Sequence, residues 1–190
     1  MLLVVKGSKN TGKTAFAEDY CKEFEGSKYF IATMRVKDSA DEDKVTSSRE
    51  ERADKGFVTI EQDVAIVKAI DKIKWMESLL GGGEGDKSAL IASLPTLCAN
   101  EMFLADGEIV PHKEVESTIL CGLALLKEYF KNIVIITDEN PELSHYGDSD
   151  VRKKLADNTI ADDGLNEYAE AMKELNLAMK TLADKELTTP

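Results

Sequence analysis

Apolar residues fall into two rhythms along this chain. Short, nearly unbroken runs at residues 2–6, 29–33, 57–61, 89–94 and 133–137 have the length and composition of strands buried on both faces. Between most of them, apolar side chains recur at helical spacing. Residues 14–25 carry Phe16, Tyr20 and Phe24 on one face. Residues 63–80 carry Val64, Ile66, Val67, Ile70, Ile73 and Leu80, with Asp63 placed to cap the helix. Residues 113–131 carry Val115, Ile119, Leu123, Leu126 and Phe130, and residues 165–183 carry Leu165, Tyr168, Met172, Leu175 and Met179. Strands alternating with helices predict an α/β fold: a mainly parallel sheet of about five or six strands flanked by helices. The glycine run from Gly81 to Gly85 predicts an exposed connection after the second long helix, and the polar stretch 138–150 predicts a loop. One domain over residues 1–187 is expected. Residues 188–190 form a tail that leaves little room for a further strand.

The first strand is followed at once by Gly7-Ser8-Lys9-Asn10-Thr11-Gly12-Lys13-Thr14, a complete phosphate-binding loop, and then by a helical pattern. Strand, loop and helix are the context in which this motif works. Glycines at both ends let the backbone approach a phosphate, and the loop's N–H groups converge at a helix N-terminus. Lys13 is the residue to reach the β- and γ-phosphates, and the Thr14 hydroxyl is the one to hold Mg2+. The fold is therefore expected to be P-loop NTPase-like, with ATP or GTP as the nucleotide. In a parallel sheet, ligands bind at the carboxyl ends of the strands. That places Asp38 as a candidate metal ligand and Glu61 as a candidate nucleotide contact, with Glu139 as a further acid of the same kind. Arg52 is a candidate phosphate contact.

Composition changes this picture by exclusion. The 190 residues are 43% hydrophobic and 32% charged, with a formal net charge of −12. So acidic a surface opposes binding to nucleic acid or an anionic membrane, whereas a nucleotide needs only a local cationic pocket. No run is long enough to span a bilayer, and no leader peptide is expected. Cys21, Cys98 and Cys121 are widely spaced and odd in number, which predicts buried free thiols in a cytoplasmic protein. His112 and His145 are the only histidines and read as surface or capping residues.

Several segments in order resemble the adenosylcobinamide kinase / adenosylcobinamide-phosphate guanylyltransferase family. They are the strand and loop at residues 2–14; Tyr29-Phe30-Ile31-Ala32-Thr33, similar to a Y-I-A-T strand; and Asp38 with Lys44-Val45, where the family has an acidic stretch and Arg-Ile. Arg52 followed by Thr59-Ile60-Glu61 is similar to R-P and T-x-E elements, and Thr137-Asp138-Glu139 is similar to an [ST]-N-E motif. Leu175-Asn176 and Leu182-Ala183-Asp184 echo later motifs. The resemblance implies a cobalamin-assembly enzyme that binds a nucleoside triphosphate with Mg2+, phosphorylates adenosylcobinamide and forms a small homo-oligomer.

Three departures qualify that implication. The family's guanylyl-accepting histidine corresponds to Ser48, with Ser47 beside it, and residues 1–111 contain no histidine. An unactivated serine hydroxyl is no substitute for an imidazole, so guanylyl transfer is not expected. The acidic residue that the resemblance implies after Leu90-Ile91 is Ala92 here, followed by Ser93. The family's closing strand has little counterpart, so the sheet is expected to be one strand short. Three functions stay open: a kinase of adenosylcobinamide, a degenerate nucleotide-binding relative without transfer activity, and a P-loop kinase of another small metabolite.

Overall fold

The computed structural model describes residues 1–8, 11–35, 39–81, 83–104, 107–138 and 162–189, with residues 39–44 and 162–163 described by their helical course alone. Six strands form one sheet: β1 (Leu2–Gly7), β2 (Ser27–Ala32), β3 (Phe57–Glu61), β4 (Lys87–Ile91), β5 (Asn132–Asp138) and β6 (Lys185–Thr188). Their order is β3-β2-β4-β5-β1-β6, and every neighbouring pair is parallel. All carboxyl ends therefore lie on one side. The described helices are α1 (Lys13–Cys21), α2 (Ser39–Asp54), α3 (Lys68–Leu80), α4 (Leu94–Met102), α5 (His112–Tyr129) and α6 (Asp162–Leu182).

The uninterrupted apolar runs follow from burial on both faces of the sheet. Leu2, Val4, Tyr29, Ile31, Ala89, Ile91, Ile133 and Ile135 face one core, filled from the other side by residues of α3, α4, α5 and α6. Their alternate neighbours Leu3, Val5, Phe30, Leu90, Val134 and Ile136 face a second core with Ala17 and Cys21 of α1. On the thicker side, Tyr168 of α6 is fully buried and donates its hydroxyl to the carbonyl of Pro95 at 3.2 Å, which fastens α6 to α4.

Several expectations are corrected here. The sheet is not one strand short: residues 185–188 pair with β1 in register, from Leu3↔Lys185 to Lys6↔Thr188. The segment is polar because β6 is an edge strand with exposed side chains, so it lacks the apolar run by which strands announce themselves. In α1 the buried positions are Ala17, Glu18 and Cys21, while Phe16 is exposed. Small side chains let this helix lie close to β1 and β5, and the aromatic stripe runs along its rim. The second long helix begins at Lys68, not at Asp63. Residues 63–67 instead form a turn with Ala65 at φ 46°, and Asp63 bonds Arg35 Nε at 2.6 Å. Helices α2 and α4 had no counterpart in the apolar pattern. Two of the three thiols, Cys21 and Cys98, are buried, but Cys121 is exposed on α5.

Candidate functional site

The crevice is built by the strand ends. β1 stops at Gly7, level with Asp138 of β5 in the pairing register, and Thr189 follows β6 on the other side. Gly12 sits in the left-handed region, at φ 73° and ψ 21°, just before α1. A residue with a β-carbon is strained there, which is the physical reason for glycine at the motif's second fixed position. The carbonyl of Gly12 accepts the Phe16 N–H at 2.9 Å, so α1 starts directly from the loop. The Thr11 hydroxyl donates to the carbonyl of Ser8 at 2.9 Å and shares a 2.9 Å hydrogen bond with the Thr189 hydroxyl.

Lys13 reaches back across the loop. Its Nζ donates to the carbonyl of Gly7 at 2.9 Å and forms an ion pair with Asp138. The lysine side chain is 14% exposed and the aspartate 28%. Thr14 lies in the first turn of α1 and is exposed. The loop, its lysine and its hydroxyl thus lie together at the carboxyl end of β1.

The other strand ends are held by buried polar bonds. Thr33 after β2 donates to the carbonyl of Ser93 at 3.3 Å, and its own carbonyl accepts Asn100 Nδ2 at 2.7 Å. Thr137 of β5 donates to Asn176 Oδ1 at 3.1 Å, while Asn176 Nδ2 donates to the carbonyl of Met172. Ser93 caps α4, its hydroxyl accepting the Thr96 N–H at 3.1 Å. Arg35 bridges Asp63 and the carbonyl of Asn100, and beside it Glu101 accepts the Ala65 N–H at 2.5 Å. Burial is the main reason that the Glu101 carboxyl is held above the usual glutamate range.

The residues singled out from sequence do not all meet. Gly7, Ser8, Thr11, Gly12, Lys13 and Thr14 stand together, while Lys9, Asn10, Asp38, Glu139 and His145 lie outside the described residues. Ala92 follows β4, which β5 separates from β1. Glu61 ends β3, at the edge of the sheet farthest from β6, where its carboxylate pairs with Arg49. Arg52 lies over the ring of Phe30, with Cζ 3.9 Å from the ring centroid, on a strand three places from β1. It is 8% exposed, and burial lowers its pKa against the opposing pull of Glu18. His112 is the first residue of α5, after Pro111 at the N-cap, and its side chain does not cap the helix. Its backbone N–H donates to Glu167 Oε2 at 2.8 Å and its Nδ1 lies 2.7 Å from the same oxygen.

Two residues at the loop had no assigned role in the sequence reading, Asp138 and Thr189. Asp138 was visible as the middle of Thr137-Asp138-Glu139 at a strand end. Thr189 carried no signal, because only the unexpected pairing of β6 brings it there.

A family model described as cobinamide kinase / cobinamide phosphate guanyltransferase matches residues 3–142 of the chain. That span runs from β1 through β5 and includes the phosphate loop and Asp138. Among curated proteins nothing matches.

Proposed function

The chain belongs to the cobinamide kinase / cobinamide phosphate guanyltransferase family, and from that premise we propose that it is a P-loop phosphotransferase of cobalamin assembly. It would bind ATP or GTP at Gly7–Thr14 and pass the γ-phosphoryl group to a hydroxyl of adenosylcobinamide. The observation that carries this reading is the Gly12–Lys13–Thr14 corner at the end of β1, where a left-handed glycine, a half-buried ammonium and a helix N-terminus converge.

The loop's N–H groups orient the phosphates, and Lys13 moves from Asp138 onto the β- and γ-oxygens, where negative charge builds up in the transition state. The acceptor oxygen bonds to the γ-phosphorus as the bond to the β,γ-bridging oxygen breaks. The nucleoside diphosphate leaves, and the acceptor's proton passes to water. Mg2+, if bound with the nucleotide, would neutralise phosphate charge. The residues that would hold it are hard oxygen donors that suit it, the Thr14 hydroxyl and the carboxylate beside Lys13. Asp38 is retained in this proposal as a second acid of the site. Arg52 and Glu61, read from sequence as nucleotide contacts, lie three and four strands from β1 and carry no step of this proposal.

A second reading, nucleotide binding without transfer, is favoured by one observation: Lys13 is already engaged by Asp138, and the Ala92 side chain carries no oxygen. Incubation with labelled ATP or GTP, Mg2+ and adenosylcobinamide separates the two. The kinase reading expects label on the corrinoid, reduced by a factor on the order of a hundred or more in Lys13→Ala. Nucleotide binding with no label on any acceptor supports the second reading. Label on a different hydroxyl compound, with none on adenosylcobinamide, assigns the loop to another metabolite.

A further inference from the structure

Two of the three N–H groups of Lys13 are taken by the Gly7 carbonyl and Asp138, so a triphosphate must compete with Asp138 for the lysine. Nucleotide therefore loosens the ion pair at the carboxyl end of β1, and Asp138 is left needing another partner for its charge. The strand order limits the alternatives. β5 is the strand beside β1, with Gly7 level with Asp138. Ala92 is one strand farther away and carries no oxygen on its side chain. Glu61 is at the far edge and bound to Arg49. Among the described residues, Asp138 is the carboxylate in contact with the loop's own lysine.

We propose that Asp138 is the metal-facing carboxylate of the nucleotide site, holding Lys13 until phosphate takes it and then turning its charge to the cation that accompanies the nucleotide. This inference rests on the reading of the loop as a nucleotide site. Once Lys13 moves to the phosphates, Asp138 is left as a partly buried anion beside a polyanion. Burial deprives it of much of its water, and repulsion by the phosphates adds to the cost. A divalent cation between carboxylate and phosphate removes both penalties, and Mg2+ favours this pairing of one or two carboxylates with phosphate oxygens. The same charge makes nucleotide without metal a poor ligand, since Lys13 is then contested and Asp138 repels. Asp138 thus couples nucleotide affinity to Mg2+.

The test is the dissociation constant of the full chain for the β,γ-imido analogues of ATP and GTP, measured by calorimetry in EDTA and again in Mg2+. The chain is compared with Asp138→Asn and Asp138→Ser, and thermal unfolding of each checks the fold. The first variant keeps the shape and removes the charge; the second supplies the same comparison should the first fold poorly. The expected result is that Mg2+ tightens binding to the unaltered chain on the order of tenfold more than it tightens binding to either variant. In EDTA the variants are expected to bind at least as tightly as the unaltered chain. Equal Mg2+ dependence in all three overturns the proposal while leaving the nucleotide reading intact. Absence of nucleotide binding in the unaltered chain overturns both.

Discussion

At position 7 the backbone leaves no room for a β-carbon. A methyl group built there would lie 2.0 Å from Thr189 Oγ1 and 2.8 Å from Thr11 Oγ1. Gly7→Ala is therefore expected to push the two threonines off the loop and weaken nucleotide binding on the order of tenfold, a cost of about 1–3 kcal/mol typical of overpacking. Adding Thr189→Ala removes the nearer clash and should recover part of the affinity; a titration in which the double variant binds no better than Gly7→Ala would refute this account. Gly12 differs: nothing lies within 4 Å of a methyl group there, and only its left-handed conformation demands glycine. The phosphate loop was legible in sequence because its eight residues are contiguous and their spacing is set by the loop's own backbone. The contacts of Asp138 and Thr189 with it were not, because both reach the loop through strand pairing that local sequence does not encode.

Elements were legible in proportion to how much apolar surface they bury. β1, β2, β4 and β5 are buried on both faces, and α3, α5 and α6 keep an apolar face toward the larger core. All of them showed in the pattern. α2 did not, since residues 39–54 hold Val45 as their one large apolar side chain among many charges. It is fixed instead by its last turn, where Arg52 stacks on Phe30 and the following Lys55 pairs with the buried Glu18. α4 was hidden because Leu90-Ile91 runs on through Ala92 and Ser93 to Leu94-Pro95 and reads as a continuing strand. Ser93 is in truth the cap, and Pro95 suits the first turn of a helix. Ser93→Ala removes the acceptor for the Thr96 N–H and should cost about 1 kcal/mol, measured as a shift in the denaturation midpoint. An unchanged midpoint would refute a capping role for Ser93.

Across the whole molecule, the two ends of the sheet do different work. At the amino ends of the strands, opposite the crevice, Glu77 of α3 accepts hydrogen bonds from Tyr29 at 2.5 Å, Lys87 at 2.9 Å and Tyr129 at 3.3 Å. These bonds join α3 and α5 to β2 and β4. Burial alone would raise the Glu77 pKa, but the donated bonds and the Lys87 charge outweigh it and hold the carboxyl below the usual glutamate range. The folded state thus binds this proton less readily than the unfolded chain. Its contribution is complete above the ordinary glutamate pKa and is lost as pH falls through the lower folded value. Glu77→Gln should lower stability at neutral pH by about 1–3 kcal/mol and flatten its acid dependence across that window, as read by urea denaturation at several pH values. A variant with the parent's acid profile would exclude Glu77 as a source of it. β1, whose carboxyl end carries the phosphate loop, is closed along its length on both sides by strands distant in sequence. The Leu2 N–H meets Asp184, 182 positions along the chain, and Thr11 meets Thr189 across 178 positions. During translation β1 leaves the ribosome long before β5 or β6 exists to cover its edges, and in the interval it is a sticky apolar strand for chaperones to shield. The contacts that Asp138 and Thr189 make with the phosphate loop form only when those late strands arrive. A ligand that needs the finished loop therefore favours molecules whose synthesis has passed β6, pulling the last step of assembly forward by mass action.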